Sequence, residues 1–183
     1  MKTSGFGRDL RLLSLYRDVT PIDLLNFKDS FIIAFDAIKF APDEMAVEGK
    51  SVKLSEQYYQ KNTFREITKV RAAILPWPME SKAISLKIFA TGNWGCGMSL
   101  GDVMYKSLLQ WVAASSVGRT IVYYAYGNEK LIQLPPLIVR LKSSAITTGQ
   151  LLTWLLQYQD EKHTGVDVFQ FINVLLEKSL SAN

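Results

Sequence analysis

The sequence predicts an α/β protein with a parallel sheet. Three observations carry that reading. Short runs rich in β-branched and aromatic residues alternate with segments whose apolar residues recur every three or four positions. The order is strand, helix, strand, helix, strand, the pattern of right-handed crossovers. One strand also breaks into a glycine-rich loop directly ahead of a helix. At 183 residues, one domain is expected, large enough for a core without disulfides or metal. Its sheet-containing part spans about 1–128 and its C-terminal helices about 144–180.

Taken in order, Gly5 and Gly7 precede Asp9 to Tyr16, which fits an edge strand or a short helix. Arg17 to Asn26 is a polar connection broken by Pro21. Phe31 to Phe35 is a compact apolar run expected as a strand buried on both faces. Asp36 falls at its C-terminal end, where open α/β sheets place ligands; a hydrogen bond holding the strand-end loop is the plainer role. Ala41 to Ser55 is long for a bare connector. From Glu56 the pattern is helical, with Phe64, Ile67, Val70, Arg71 and Ile74 on one face and Arg65, Glu66 and Lys69 on others, until Pro76-Trp77-Pro78 ends it. Ser85 to Ala90 is the next strand. Val103 to Ala114 reads as a helix burying Leu108, Leu109, Trp111 and Val112, closed by Gly118. Thr120 to Tyr126 is another strand, with Gly127-Asn128 as a turn. Pro135-Pro136 breaks or delays any helix in Lys130 to Lys142. Thr147 or Thr148 caps a helix covering Leu151, Leu152, Trp154, Leu155, Leu156 and Tyr158. A final helix, Val166 to Lys178, needs burial for Val168, Phe169, Phe171, Ile172, Leu175 and Leu176.

Composition narrows the function. Apolar residues make up 48% and charged residues 21%, which suits a globular fold. The net charge of +4 is spread without a Lys/Arg block and reads as a solvated surface, so nucleic acid is not an expected partner. The single cysteine, Cys96, excludes an internal disulfide and argues against a stapled secreted scaffold. No apolar run is long enough to span a membrane, and the N-terminus lacks a signal-like segment. A soluble intracellular protein is expected.

The glycine loop is the centre of the chain. Gly92, Gly95, Gly97 and Gly101 let backbone N–H groups approach a ligand, and the following helix adds unpaired donors and the positive end of its dipole. Such a loop suits a phosphate, and equally serves as a tight turn. Its residues, Ala90-Thr91-Gly92-Asn93-Trp94-Gly95-Cys96-Gly97 followed by Gly101-Asp102, resemble the diphosphate-binding loop of the poly(ADP-ribose) glycohydrolase family. The resemblance runs from about Gly5 to the helix after Thr148, with Ile32 to Ile38 and Val122 to Asn128 as further landmarks. It implies the C-terminal half of a catalytic macrodomain, and so a partial macrodomain-like sheet flanked by helices.

It also implies which residues would hold ADP-ribose: Gly92, Asn93, Trp94, Gly95, Cys96, Gly97, Ser99, Gly101, Asp102 and Tyr126. Asn93 contacts the ligand or braces the loop. Tyr126 holds the aromatic position that encloses the adenine end in the family; stacking there and burial as a strand tyrosine both fit. Where the family has Ala-Phe-Gly, this chain has Met98-Ser99-Leu100. A ring becomes a hydroxyl and a flexible glycine becomes a leucine.

Glycoside cleavage requires a positioned carboxylic acid. The family supplies it from a Gln-Glu-Glu sequence after a triple glycine, and this chain has neither motif. Its adjacent acids, Asp43-Glu44 and Asp160-Glu161, follow no glycine run. His163 falls in a turn-like segment between Lys162 and Thr164, no Walker-type lysine is read after the loop, and one His with one Cys make no zinc set. No catalytic residue, cofactor or metal is therefore expected. The expected function is a non-catalytic relative used as an interaction module in an intracellular, more nuclear than cytoplasmic, assembly. An ADP-ribose or poly(ADP-ribose) reader and a fragment of an active enzyme are the alternatives. A half-sheet leaves an open apolar edge, so a partner chain or self-association is expected to cover it.

Overall fold

The computed structural model describes residues 2–4, 11–14, 32–75, 87–161 and 164–181. The chain divides into two compact units, Met1–Ile33 and Ala34–Asn183. In the first, β1 (Lys2–Ser4) pairs antiparallel with β2 (Arg11–Ser14), Thr3 opposite Leu12. The ambiguous stretch around Leu12 is thus a strand.

Residues 32–39 carry no regular secondary structure. The expected strand from Phe31 to Phe35 does not form over its described part, and Ile32 is 98% exposed. An apolar run becomes a strand only when a neighbour supplies ladder partners, and none of the described strands pairs with it. At its end the Phe35 carbonyl accepts from the Trp94 indole at 3.2 Å; beyond it Ile38 N–H donates to the Glu66 carboxylate at 2.9 Å, and Phe40 N–H to the Ser99 carbonyl at 3.0 Å. Short β3 (Phe40–Ala41) pairs in parallel with β4 (Val52–Lys53), giving order to the long loop.

Helix α1 (Gln60–Ile74) buries Thr63, Glu66, Ile67, Val70 and Ile74. Two sequence expectations are reversed here. Phe64 is exposed, and Glu66, expected on an outer face, is buried. The buried face is offset because it carries a polar network as well as apolar packing.

Strand β5 (Ile88–Gly92), helix α2 (Val103–Ser116) and strand β6 (Thr120–Tyr124) form a parallel crossover unit, with Ala90 opposite Val122 and Gly92 opposite Tyr124. The described strands make three two-stranded sheets rather than one continuous sheet. Helix α2 is buried nearly all round, as a central helix is. Trp111, expected in its core, is only half-buried. Phe89, Ile121 and Tyr123 face the core, while Ile88, Ala90, Val122 and Tyr124 on the other face are exposed.

Within Lys130 to Lys142 the helix begins late, as expected: α3 (Leu134–Ser143) carries both prolines in its first turn, where the missing N–H costs no helical bond. Helix α4 (Thr148–Glu161) starts at a capping box: the Thr147 hydroxyl accepts from Gln150 N–H at 3.2 Å, and the Gln150 side chain accepts from Thr147 N–H at 2.9 Å. Helix α5 (Val168–Ser181) buries Val168, Phe169, Ile172 and Leu176. Helices α1 and α4 pack on α2, and α5 packs on α3 and α4. The protein is α/β, with short parallel pairings, flanking helices and a helical C-terminus.

Candidate functional site

The glycine loop leaves β5 because Gln110 fastens the end of that strand. Its fully buried side chain accepts from the Thr91 hydroxyl at 2.8 Å and donates to the Gly92 carbonyl at 3.1 Å. At the far end Asp102 caps α2, accepting from Met104 N–H at 2.9 Å and Tyr105 N–H at 3.3 Å. Its second oxygen accepts from the Tyr58 hydroxyl at 2.8 Å, and its own N–H donates to Gln57 at 2.9 Å. Burial and then the Asp102 charge hold the Tyr58 phenol well above its usual pKa.

Asn93 braces the loop. Its amide donates to the Ala125 carbonyl at 3.1 Å and accepts from the Tyr123 hydroxyl at 3.0 Å. Trp94 turns inward, its indole N–H donating to the Phe35 carbonyl at 3.2 Å. Cys96 is half-buried and packs against the core. Burial raises its thiol to about 12 against the opposing pull of Lys106, so it is protonated at neutral pH and a poor nucleophile.

Lys106 was not singled out by the sequence, although it shares a helical face with Val103, Gln110 and Ala113. Its ammonium is 2% exposed as a residue, pairs with the equally buried Glu66, and lies 4.2 Å from the Trp94 ring centre. Glu66 also accepts from Arg65 at 2.6 Å, and Arg65 donates in turn to Asp36 at 2.6 Å, with Lys69 at 2.5 Å on the same carboxylate. Asp36 therefore holds α1, the plainer of its two roles. Lys69 and Arg65 bring its carboxyl down to about 2.

The glycines differ in what requires them. A Cβ at Gly95, which has φ +73°, would sit 2.6 Å from both Ala37 Cβ and Lys106 Nζ. At Gly101 it would meet the Gly95 carbonyl oxygen at 2.6 Å and Lys106 Cδ at 2.7 Å, and at Gly92 the Tyr124 carbonyl oxygen at 2.8 Å. Internal packing explains these three. At Gly97 a Cβ would meet nothing within 4 Å, and the residue is exposed.

Around Gly97 the N–H groups of Gly95, Gly97, Met98 and Ser99 have no acceptor among the described residues, nor has the Ser99 hydroxyl. Successive unpaired N–H groups make an anion-binding concavity. The turn survives the departure at its end: Leu100 has φ +54°, the left-handed conformation of a glycine, at a cost of about 1–2 kcal/mol. Tyr126 is no strand tyrosine. It has φ +52° in the turn after β6 and is 87% exposed, its ring edge 3.4 Å from the Cβ position at Gly92.

Residues 1–133 match the family model described as poly(ADP-ribose) glycohydrolase (PARG), macro domain fold. The chain belongs to the PARG family. It is 38% identical over 87 residues to poly(ADP-ribose) glycohydrolase 1 of Arabidopsis thaliana, covering 45% of this chain and 16% of that protein. With probable poly(ADP-ribose) glycohydrolase 2 of the same plant it shares 40% over 74 residues, 40% of this chain and 14% of that one. With poly(ADP-ribose) glycohydrolase 1 of Caenorhabditis elegans it shares 26% over 184 aligned positions, 96% of this chain and 22% of the relative. The chain therefore spans less than a quarter of the length of these PARG relatives.

The remaining acids lie elsewhere. Asp43 and Glu44 sit in an exposed single turn, Asp160 and Glu161 at the end of α4, and His163 lies outside the described residues. Among the described residues no group of three or more His, Cys, Asp or Glu could hold a metal, and no helix is long and apolar enough to cross a membrane.

Proposed function

We propose that this PARG-family chain binds the diphosphate of ADP-ribose at the turn from Gly95 to Ser99 and does not cleave the polymer by itself. The observation that carries the binding is the set of four unpartnered N–H groups around Gly97, the one loop glycine whose missing side chain has no internal cause. Tyr126, exposed beside Gly92, would lie against the nucleoside end. The carboxylates nearest the loop are engaged, Asp102 in capping α2 and Glu66 in holding Lys106, and the Gln-Glu-Glu sequence is missing from the chain.

Isothermal titration of ADP-ribose is expected to give affinity in the micromolar range. Gly97→Ala and Tyr126→Ala should each weaken it at least about tenfold while leaving the fold intact. No heat at millimolar ADP-ribose with folded protein would reject the binding. Turnover of polymer by the purified chain would reject the non-catalytic part. Turnover only after adding a protein that bears the triple-glycine and Gln-Glu-Glu motifs would assign the chain as one half of a split enzyme.

A second reading, a protein-interaction module, draws on the exposed face of the β5–β6 pair, where Ile88, Ala90, Val122 and Tyr124 lie uncovered. A further chain covering that face would remove them from water. Light scattering of the wild type and Val122→Lys is the check: a dimer reduced to monomer by the lysine supports it, and a wild-type monomer rejects self-association.

A further inference from the structure

A cavity of about 730 Å³ opens between α2, β6 and α3. Packing voids in proteins rarely exceed a water molecule, whereas ligand pockets run from about 300 to 1,000 Å³. Its lining has a distinct chemistry. Trp111, Leu134 and Ile138 provide an apolar wall; Arg119 and Lys142 provide two cations; and no lining residue among the described ones is a carboxylate. Arg119 follows the end of α2, directly before Thr120, and Lys142 is in the last turn of α3. Thr120 adds a hydroxyl beside Arg119.

We propose that this cavity is a second binding site, for an organic anion with an apolar, preferably aromatic, body and one anionic head. The body lies against Trp111, Leu134 and Ile138, and the head meets Lys142 and the Arg119–Thr120 corner. An anionic head is attracted by the Lys142 ammonium, and an aromatic body gains most from an indole wall.

The site is wired to the glycine loop. Tyr123 and Ala125 both line the cavity, and both bond Asn93, one through its hydroxyl and one through its carbonyl. A ligand that shifts the Tyr123 ring thus acts on the loop through one hydrogen bond.

The probe is 1-naphthalenesulfonate, titrated into the folded chain and followed by amide NMR shifts, with neutral 1-naphthalenemethanol as comparator. Saturable shifts at Tyr123, Ala125 and Ile138 are expected, with Asn93 following. The neutral compound should bind about tenfold more weakly or worse, and so should 1-naphthalenesulfonate to Lys142→Glu. Ile138→Trp, which fills the space, should abolish binding; should that variant fail to fold, exposed Lys142→Glu decides alone. Equal affinity of the two compounds, wild-type affinity in Lys142→Glu, shifts confined to Ile88, Ala90 and Val122, or no saturation at millimolar probe would each overturn the proposal.

Discussion

Removing Glu66 is expected to damage this protein more than any surface change. One carboxylate oxygen accepts from Lys106, and the other accepts from Ile38 N–H at 2.9 Å and Arg65 at 2.6 Å. Glu66→Ala leaves the buried Lys106 ammonium without its counter-ion, which costs about 3–5 kcal/mol, and leaves the Ile38 N–H unsatisfied, about 1–3 kcal/mol more. The two overlap, since water or a rearranged loop can relieve both, so the expected loss is about 5 kcal/mol. In a unit of this size that lowers Tm by roughly 10–20 °C. The controlling variant is Glu66→Leu with Lys106→Met, which takes out both charges; it should be at least about 2 kcal/mol more stable than Glu66→Ala, because no charge is then stranded. Urea denaturation followed by tryptophan fluorescence at pH 7 measures all of these. A loss under about 1.5 kcal/mol for Glu66→Ala, or a double variant no more stable than the sum of its singles, would refute the view that Lys106 is held beneath the loop by this partner.

Gly95→Ala forces a side chain into Ala37 and Lys106 from a left-handed backbone, and should cost at least about 2 kcal/mol by chemical denaturation. Leu100→Gly releases the strain of a left-handed leucine and should raise stability by about 1 kcal/mol; a decrease would mean that the leucine side chain contributes more than its backbone costs. Lys69 and Arg65 depress Asp36 from 3.8 to about 2. Its contribution is therefore complete above the ordinary carboxylate range and is lost as pH falls from about 4 toward 2. Asp36→Asn should flatten that part of a pH series of urea midpoints, and an unchanged slope would sink the assignment. Cys96, with its thiol raised to about 12 by burial, should react with iodoacetamide at pH 8 far more slowly than a free cysteine does; a comparable rate would show the loop opens readily.

The crossover from β5 to β6 was legible because its signals are local: period-three-and-four burial along α2, Gly118 at its end, a β-branched run after it. The Thr147 cap was legible for the same reason. The late start at Pro135-Pro136 was legible as well, because a proline is accepted only in a helix's first turn, and α3 begins at Leu134. The run at Ile32 and Ile33 misled because apolarity measures a segment's wish for burial, while a strand also needs a neighbour, and that neighbour is a tertiary fact. Glu66 and Lys106 escaped notice for a related reason: each is an ordinary surface residue by type, and only their mutual placement from α1 and α2 makes burial affordable. The sequence allows Asn93 as a brace, but its partners, Ala125 and Tyr123, needed their positions across the sheet, which no spacing discloses.

The way Lys106 threads between Gly95 and Gly101 separates two histories that a sequence motif merges. Substitution at either glycine would evict a lysine from the interior, so selection for a foldable chain alone suffices to retain them, whether or not a nucleotide is ever bound. Gly97 stands under no such constraint. In diverging descendants it is the position free to drift once the ligand is lost, so a single residue, rather than the glycine count, records whether the loop is still in use.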